Sequence, residues 1–256
     1  MNTEAEMIHS ILIIGQSNMA GRGFPYEVEP IENEALFVLR NGRWRSMYCP
    51  VNPDRPFSGV SLVESFADAY SRDHGVSVGI IPCADGGTCL DQWRVGGLLF
   101  DHACYMAELA SRTSTIAAVL WHQGESDSTD ERYPYYRAKL EVILDAFRDR
   151  LGLHDVPFIL GGLGDDLILS EKREKVKNYK KVNEALESLA KDRPMTGFVS
   201  AEGLGTNPDK IHFSAAALRE FGIRYYREFL KLEDKSKVFE EKPSPDDAIR
   251  TEFENL

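Results

Sequence analysis

The sequence predicts an α/β protein, a three-layer α/β/α sandwich whose middle layer is a five-stranded parallel sheet. Three observations carry that expectation. Five short apolar runs recur along the chain, the right length for buried strands. Stretches with helical spacing of apolar residues lie between them. Strand–helix–strand alternation leads to right-handed crossovers, which put helices on both faces of a parallel sheet. The 256 residues suffice for one large domain, and a hydrophobic content of 43% supplies its core.

The strands are expected at "HSILIIG" (9–15), "VSVGIIPC" (76–83), "TIAAVLWH" (115–122), "VPFILGGL" (156–163) and "TGFVSAE" (196–202). The first helix is "SLVESFADAYSRDHG", with apolar residues at 62, 63, 66, 67 and 70 and a stop at Gly75. Further helices are expected over 100–111, 133–150, 171–191 and 214–230. Residues 24–60 break the alternation. They are rich in proline and aromatics, and "ALFVLRNGRWRSMY" carries Asn41-Gly42 between two extended runs, a hairpin signal. This segment reads as an insertion after the first strand, lying near the strand ends. The chain thus divides into one domain, 1–232, and a charged, proline-punctuated C-terminal arm, 233–256, expected to be peripheral or partly disordered.

Charge and motif content narrow the function. The net charge is −11 and the pI about 5.1, which argues against nucleic acid or an anionic membrane as partner. No apolar run reaches the ~18–20 residues of a membrane span. "MNTEAEMIHS" is acidic and has no basic leader region, so a cytoplasmic location is expected. Cys49, Cys83, Cys89 and Cys104 form no CxxC pair and read as free thiols. Neither HExxH nor an EF-hand loop is present, and neither a metal nor an organic cofactor is expected.

In doubly wound sheets, ligands sit beyond the carboxyl ends of the strands. Four reactive segments fall there. "GQSNM" follows the first strand and presents Ser17, as a helix cap or as a nucleophile. "CADGGTCLDQW" follows the second; Gly86 or Gly87 can point a backbone N–H at a developing oxyanion. "WHQGESD" follows the third. Gln123 there can be a further donor, Glu125 is a spare carboxylate, and His122 reads as packed. "NPDKIHFS" precedes the last helix. Asp209 can reach Nδ1 of His212 while Nε2 faces outward, the base a serine hydroxyl needs. Ser214 is placed to cap that helix.

These segments in this order resemble the SGNH-hydrolase superfamily. More narrowly, they are similar to its carbohydrate acetylesterase branch: the sialate O-acetylesterase-like domain and the acetylxylan esterases of carbohydrate esterase family six. The resemblance spans about residues 8–230 and implies a flavodoxin-like sheet. It implies Ser17 as nucleophile, His212 as base and Asp209 as orienting acid. The Ser17 amide, a glycine of 86–87 and the Gln123 side chain would form the oxyanion hole; alignment of Gly-x-Thr favours Gly86, with Gly87 the alternative. Glu125 is the alternative acid. Gln123 replaces the usual superfamily asparagine, as in this branch. The opening block is not a G-x-S-x-G elbow, since Met19 stands at the second glycine.

Other positions have less definite roles. Asn18 either braces the strand-end loop or contacts substrate. Trp93 and Arg94 could flank a sugar ring, with core packing the other reading of Trp93. Arg22 and Trp44 are lesser candidates of the same kind. "GGLGDD" (161–166) lacks a phosphate-binding pattern and reads as a turn. The expected activity is hydrolysis of carbohydrate O-acetyl esters through an acyl-enzyme, with an acetylated carbohydrate as the partner. The alternatives are an esterase or thioesterase for another substrate, and a non-catalytic carbohydrate-binding module.

Overall fold

A computed structural model describes residues 8–233. The expected arm, apart from Glu233, lies outside the described residues. Seven strands form one sheet: β1 (Ile8–Gly15), β2 (Leu36–Arg40), β3 (Arg43–Ser46), β4 (Val78–Pro82), β5 (Ser114–His122), β6 (Phe158–Gly161) and β7 (Thr196–Val199). Their order is β3-β2-β4-β1-β5-β6-β7, parallel throughout except for the β2–β3 hairpin.

The five expected strands are all present, but the sheet has seven. The extra pair is the Asn41-Gly42 hairpin, which was expected as an insertion near the strand ends. Instead β2 pairs in parallel with β4, Leu36 opposite Val78 and Val38 opposite Ile80. The physical reason is the β4 edge: its unpaired backbone groups and flanking apolar surface are covered when Leu36 and Val38 bury against them. Asn41 and Gly42 both take positive φ, 50° and 72°, as a tight two-residue hairpin turn needs. The remaining strands follow the flavodoxin-like order, second-first-third-fourth-fifth, so the topological switch point lies at the carboxyl ends of β1 and β5.

The helices are α1 (Ser17–Ala20), α2 (Leu62–His74), α3 (Leu98–Ala110), α4 (Tyr133–Leu151), α5 (Arg173–Val176), α6 (Tyr179–Asp192) and α7 (Ala215–Leu232). The expected helix over 171–191 is broken into α5 and α6. At the break the Asn178 N–H bonds the Ser128 carbonyl instead of the preceding turn. Alternation along β1 divides the core. Ile11 and Ile13 pack with Phe66 of α2 and Phe221 of α7. Leu12 and Ile14 pack on the other face with Phe100, Phe147 and Leu186 of α3, α4 and α6. Ser61 and Glu64 form a capping box at the start of α2, and Gly75 ends it at φ 67°. Among the described residues, no helix is long and apolar enough to cross a membrane.

Candidate active site

β1 ends at Gly15, whose φ is +127°. A Cβ there would collide with the His122 carbonyl, so only glycine fits. Gln16 donates its N–H to that same carbonyl at 2.8 Å. The chain therefore turns directly from the strand into α1, and Ser17 is the first helical residue. Its N–H has no acceptor among the described residues.

His212 comes from a loop closed on itself. Asn207 donates its N–H to the His212 carbonyl at 2.7 Å, Ser214 donates to Gly205 at 3.1 Å, and Thr206 bridges Phe213. The Ser214 hydroxyl caps α7 by accepting the Ala217 N–H. Within this loop Asp209 Oδ1 accepts the N–H groups of Ile211 and His212, both at 3.0 Å, and Oδ2 faces His212 Nδ1 at 2.6 Å. His212 Nε2 lies 3.0 Å from Ser17 Oγ. With the Nδ1–H of His212 donating a hydrogen bond to the Asp209 carboxylate, Nε2 accepts one from the serine hydroxyl. Partial burial opposes ionisation of Asp209. The two backbone amides and the imidazole outweigh it, and the carboxyl titrates below its ordinary range.

Glu125, the alternative acid, is directed elsewhere. Its Oε1 accepts a hydrogen bond from Asn18 Nδ2 at 2.6 Å. The same amide donates to the Ile211 carbonyl at 3.1 Å, and Asn18 Oδ1 accepts the Phe213 N–H at 3.0 Å. Asn18 thus holds the backbone on both sides of His212. It is 1% exposed, and these bonds are the bracing arrangement, one of its two expected roles. Asn18→Leu removes three bonds and leaves buried partners unsatisfied. Expected is a fall in kcat of about 10–100-fold with KM little changed, because a histidine displaced by an ångström loses the serine. Steady-state kinetics alongside a thermal melt checks this; a folded variant with wild-type kcat contradicts the bracing role.

The glycine turn and Gln123 differ from expectation. The Gly86 N–H donates to Asp54 Oδ2 at 2.8 Å and is not free for an oxyanion. Gly87, at φ +78°, has an N–H with no acceptor among the described residues. Gln123 is fully buried. Its Nε2 lies 2.6 Å from Asp127 Oδ2, 3.0 Å from the Thr88 carbonyl and 3.2 Å from Gln16 Oε1, so two N–H groups face three protein acceptors. Its amide ties the three strand-end loops together. Burial pushes the Asp127 carboxyl above its usual range, against the hydrogen bonds it accepts.

Trp93 is fully buried, edge-on to Trp121 at 5.5 Å, and its Nε1–H bonds Thr88 Oγ1 at 3.0 Å. It is a core residue and not a sugar platform. Arg94 is exposed and its guanidinium reaches the Asp91 carbonyl at 3.1 Å. His122 is packed, as expected: burial lowers its pKa and Nε2 lies 3.1 Å from the Gly162 carbonyl. Among the described residues, no group of three His, Cys, Asp or Glu side chains is arranged to hold a metal ion.

Residues 8–231 match the family described as carbohydrate esterase, sialic acid-specific acetylesterase. The chain belongs to this family. A probable carbohydrate esterase of Arabidopsis thaliana is 28% identical over 244 residues, 86% of this chain and 89% of that protein. A solved structure of an Arabidopsis thaliana protein superposes with a TM-score of 0.77 at 28% identity, covering 88% of this chain and 98% of that one. The structure of NanS superposes with a TM-score of 0.71 at 16% identity, covering 88% and 97%. The carbohydrate acetylesterase XAC1771 of Xanthomonas citri gives 0.64 at 20%, covering 88% of this chain and 56% of that one. The sheet and its flanking helices are those of SGNH hydrolases.

In this carbohydrate esterase the inner end of the insertion carries residues that hold the glycine turn and that sequence reading passed over. Asn52 pairs with the Ala84 backbone like a strand, donating to its carbonyl at 2.9 Å and accepting its N–H at 3.0 Å. Asp54 binds Arg22 through both oxygens, at 3.0 and 2.7 Å, in a buried pair. Burial disfavours the Asp54 charge, but the bonds from Arg22, Ser58 and the Gly86 amide prevail and lower its pKa. The only signal available was "NPD" in a proline-rich stretch, with no spacing to link it to the glycine turn.

Proposed function

We propose that this carbohydrate esterase removes O-acetyl groups from a carbohydrate through an acetyl-Ser17 intermediate. The observation that carries the reading is the unbroken series Ser17 Oγ–His212 Nε2 at 3.0 Å and His212 Nδ1–Asp209 Oδ2 at 2.6 Å. Ser17 Oγ attacks the acetyl carbonyl carbon as its proton passes to His212 Nε2. Asp209 holds the tautomer and stabilises the imidazolium. The tetrahedral intermediate collapses, the C–O bond to the sugar breaks, and His212 returns the proton to the leaving sugar oxygen. Water then attacks the acetyl group, giving its proton to His212, and acetate leaves as Ser17 recovers its hydrogen.

The oxyanion is assigned to the N–H groups of Ser17 and Gly87, two strand-end amides that have no acceptor among the described residues. Gly86 and Gln123 act one step back: the first fixes the turn through Asp54, the second ties the loops together. The test pairs two measurements. A fluorophosphonate should label Ser17 alone, located by peptide mass, and acetate should be released from acetylated saccharides. Labelling elsewhere, or none, overturns the nucleophile.

A further inference from the structure

We propose that Phe57 is a stacking platform for a pyranose ring of the substrate, the ring that carries the acetyl group or its neighbour. The proposal rests on the carbohydrate reading of the site. A single exposed apolar side chain is ordinary. What separates Phe57 from that background is how firmly it is mounted and to what it is joined.

Phe57 sits on a tight turn. Ser58 Oγ donates to Asp54 Oδ1 at 2.8 Å and accepts the Arg55 N–H at 3.1 Å, and the Ser58 N–H reaches the Arg55 carbonyl at 3.0 Å. The turn is sewn to the segment that follows α1. Gly59 donates to Gly21 at 3.1 Å, and Val60 and Gly23 exchange N–H···O bonds at 2.9 and 3.2 Å. The ring lies on the guanidinium of Arg22, whose Cζ is 5.3 Å from its centroid. That guanidinium is held by Asp54, and a Cβ on Gly86 would collide with its Nη2 while touching Ser17 Cβ at 3.5 Å. The aromatic ring, the buried ion pair and the glycine turn beside the nucleophile are therefore one connected unit. Only the guanidinium's width separates the ring from the turn that packs on Ser17.

One side of the ring rests on this unit, and 69% of the residue is open to solvent. The C–H face of a pyranose is apolar and flat, and its hydroxyls project at the edge, so it covers an aromatic face while its polar groups stay wet. The adjoining segment repeats the feature: Phe24 and Tyr26 stack at 5.5 Å, with Tyr26 83% exposed. In the segment at 165–169, tied to the His212 loop by Thr206 Oγ1 donating to Asp166 Oδ2, the exposed apolar residues are the aliphatic Ile168 and Leu169. Stacking is thus assigned to the Phe57 side.

The experiment measures kcat and KM of the wild type, Phe57→Ala and Phe57→Tyr on mono-acetylated methyl pyranosides and on ethyl acetate, which has no ring. Phe57→Ala should lower kcat/KM on the best pyranoside about tenfold, mainly through KM. On ethyl acetate the change should be about twofold or less, and Phe57→Tyr should restore the pyranoside value. Equal losses on both substrates, or no loss on the pyranoside, overturn the platform while leaving the esterase reading standing. A wild type that cleaves ethyl acetate but releases acetate from no pyranoside overturns the carbohydrate reading, and the platform with it.

Discussion

Ser17→Ala is expected to reduce kcat for acetyl esters by about 10⁴-fold or more without unfolding the protein. The substitution deletes the attacking oxygen and the partner of His212 Nε2, and nothing else nearby can replace it. Asn18 is committed to Glu125 and the backbone at 211 and 213, and Thr88 Oγ1 donates to Asp85 and accepts from Trp93. The backbone amides at 17 and 87 remain, so slow catalysis above the uncatalysed rate should survive. One hydrogen bond to a partly exposed imidazole is lost, a stability cost of about 1 kcal/mol. His212→Ala should fall by a similar factor, and the double variant should be little worse than either, because the groups act as a unit. The assay is acetate release, with circular dichroism to verify folding. Turnover by a folded Ser17→Ala protein within tenfold of wild type would remove the nucleophile assignment.

Asp54→Asn is expected to destabilise the fold by about 3–5 kcal/mol. Arg22 is 5% exposed, and its guanidinium would lose its counter-ion while remaining buried. The Asp54 pKa is lower in the folded protein than in the unfolded chain, so the carboxylate contributes stability that is present above the unfolded value, about 3.9. That contribution is lost as pH falls through the folded value. The gap between wild type and Asp54→Asn should therefore be full at pH 6 and narrow progressively below about pH 4. Urea unfolding at several pH values reads this directly, with an unchanged slope confirming that only stability moved. Activity should drop too, since the Gly86 amide is anchored on the same carboxylate. A cost below about 1 kcal/mol at pH 6 would mean that the pair is solvated and does not support the turn.

Much of the architecture was legible because it is written at short range. Short apolar runs and helical apolar spacing depend on residues a few positions apart, and they located the five core strands and the main helices. Asp209 and His212 are three apart, so their hydrogen bond is a local event that spacing anticipates. Ser214 capping α7 and Gly75 ending α2 are likewise local. The hairpin turn was readable from Asn41-Gly42, but not its destination. Joining β4 depends on which sheet edge is open once the chain has folded.

The site shows the same division more sharply. Sequence alone determined that Ser17, the glycine turn, Gln123 and the Asp209–His212 pair all fall at strand ends, because the alternation of elements dictates where loops go. Tertiary structure decided what each side chain touches there: Glu125 serves Asn18 instead of the histidine, Gly86 and Gln123 spend their N–H groups within the protein, and Trp93 turns inward. It also joined Asp54 to Arg22 across the insertion. The reason is directional. A polar group's partner depends on where its rotamer points among neighbours that may be a hundred residues away, and no periodicity in the chain encodes that distance.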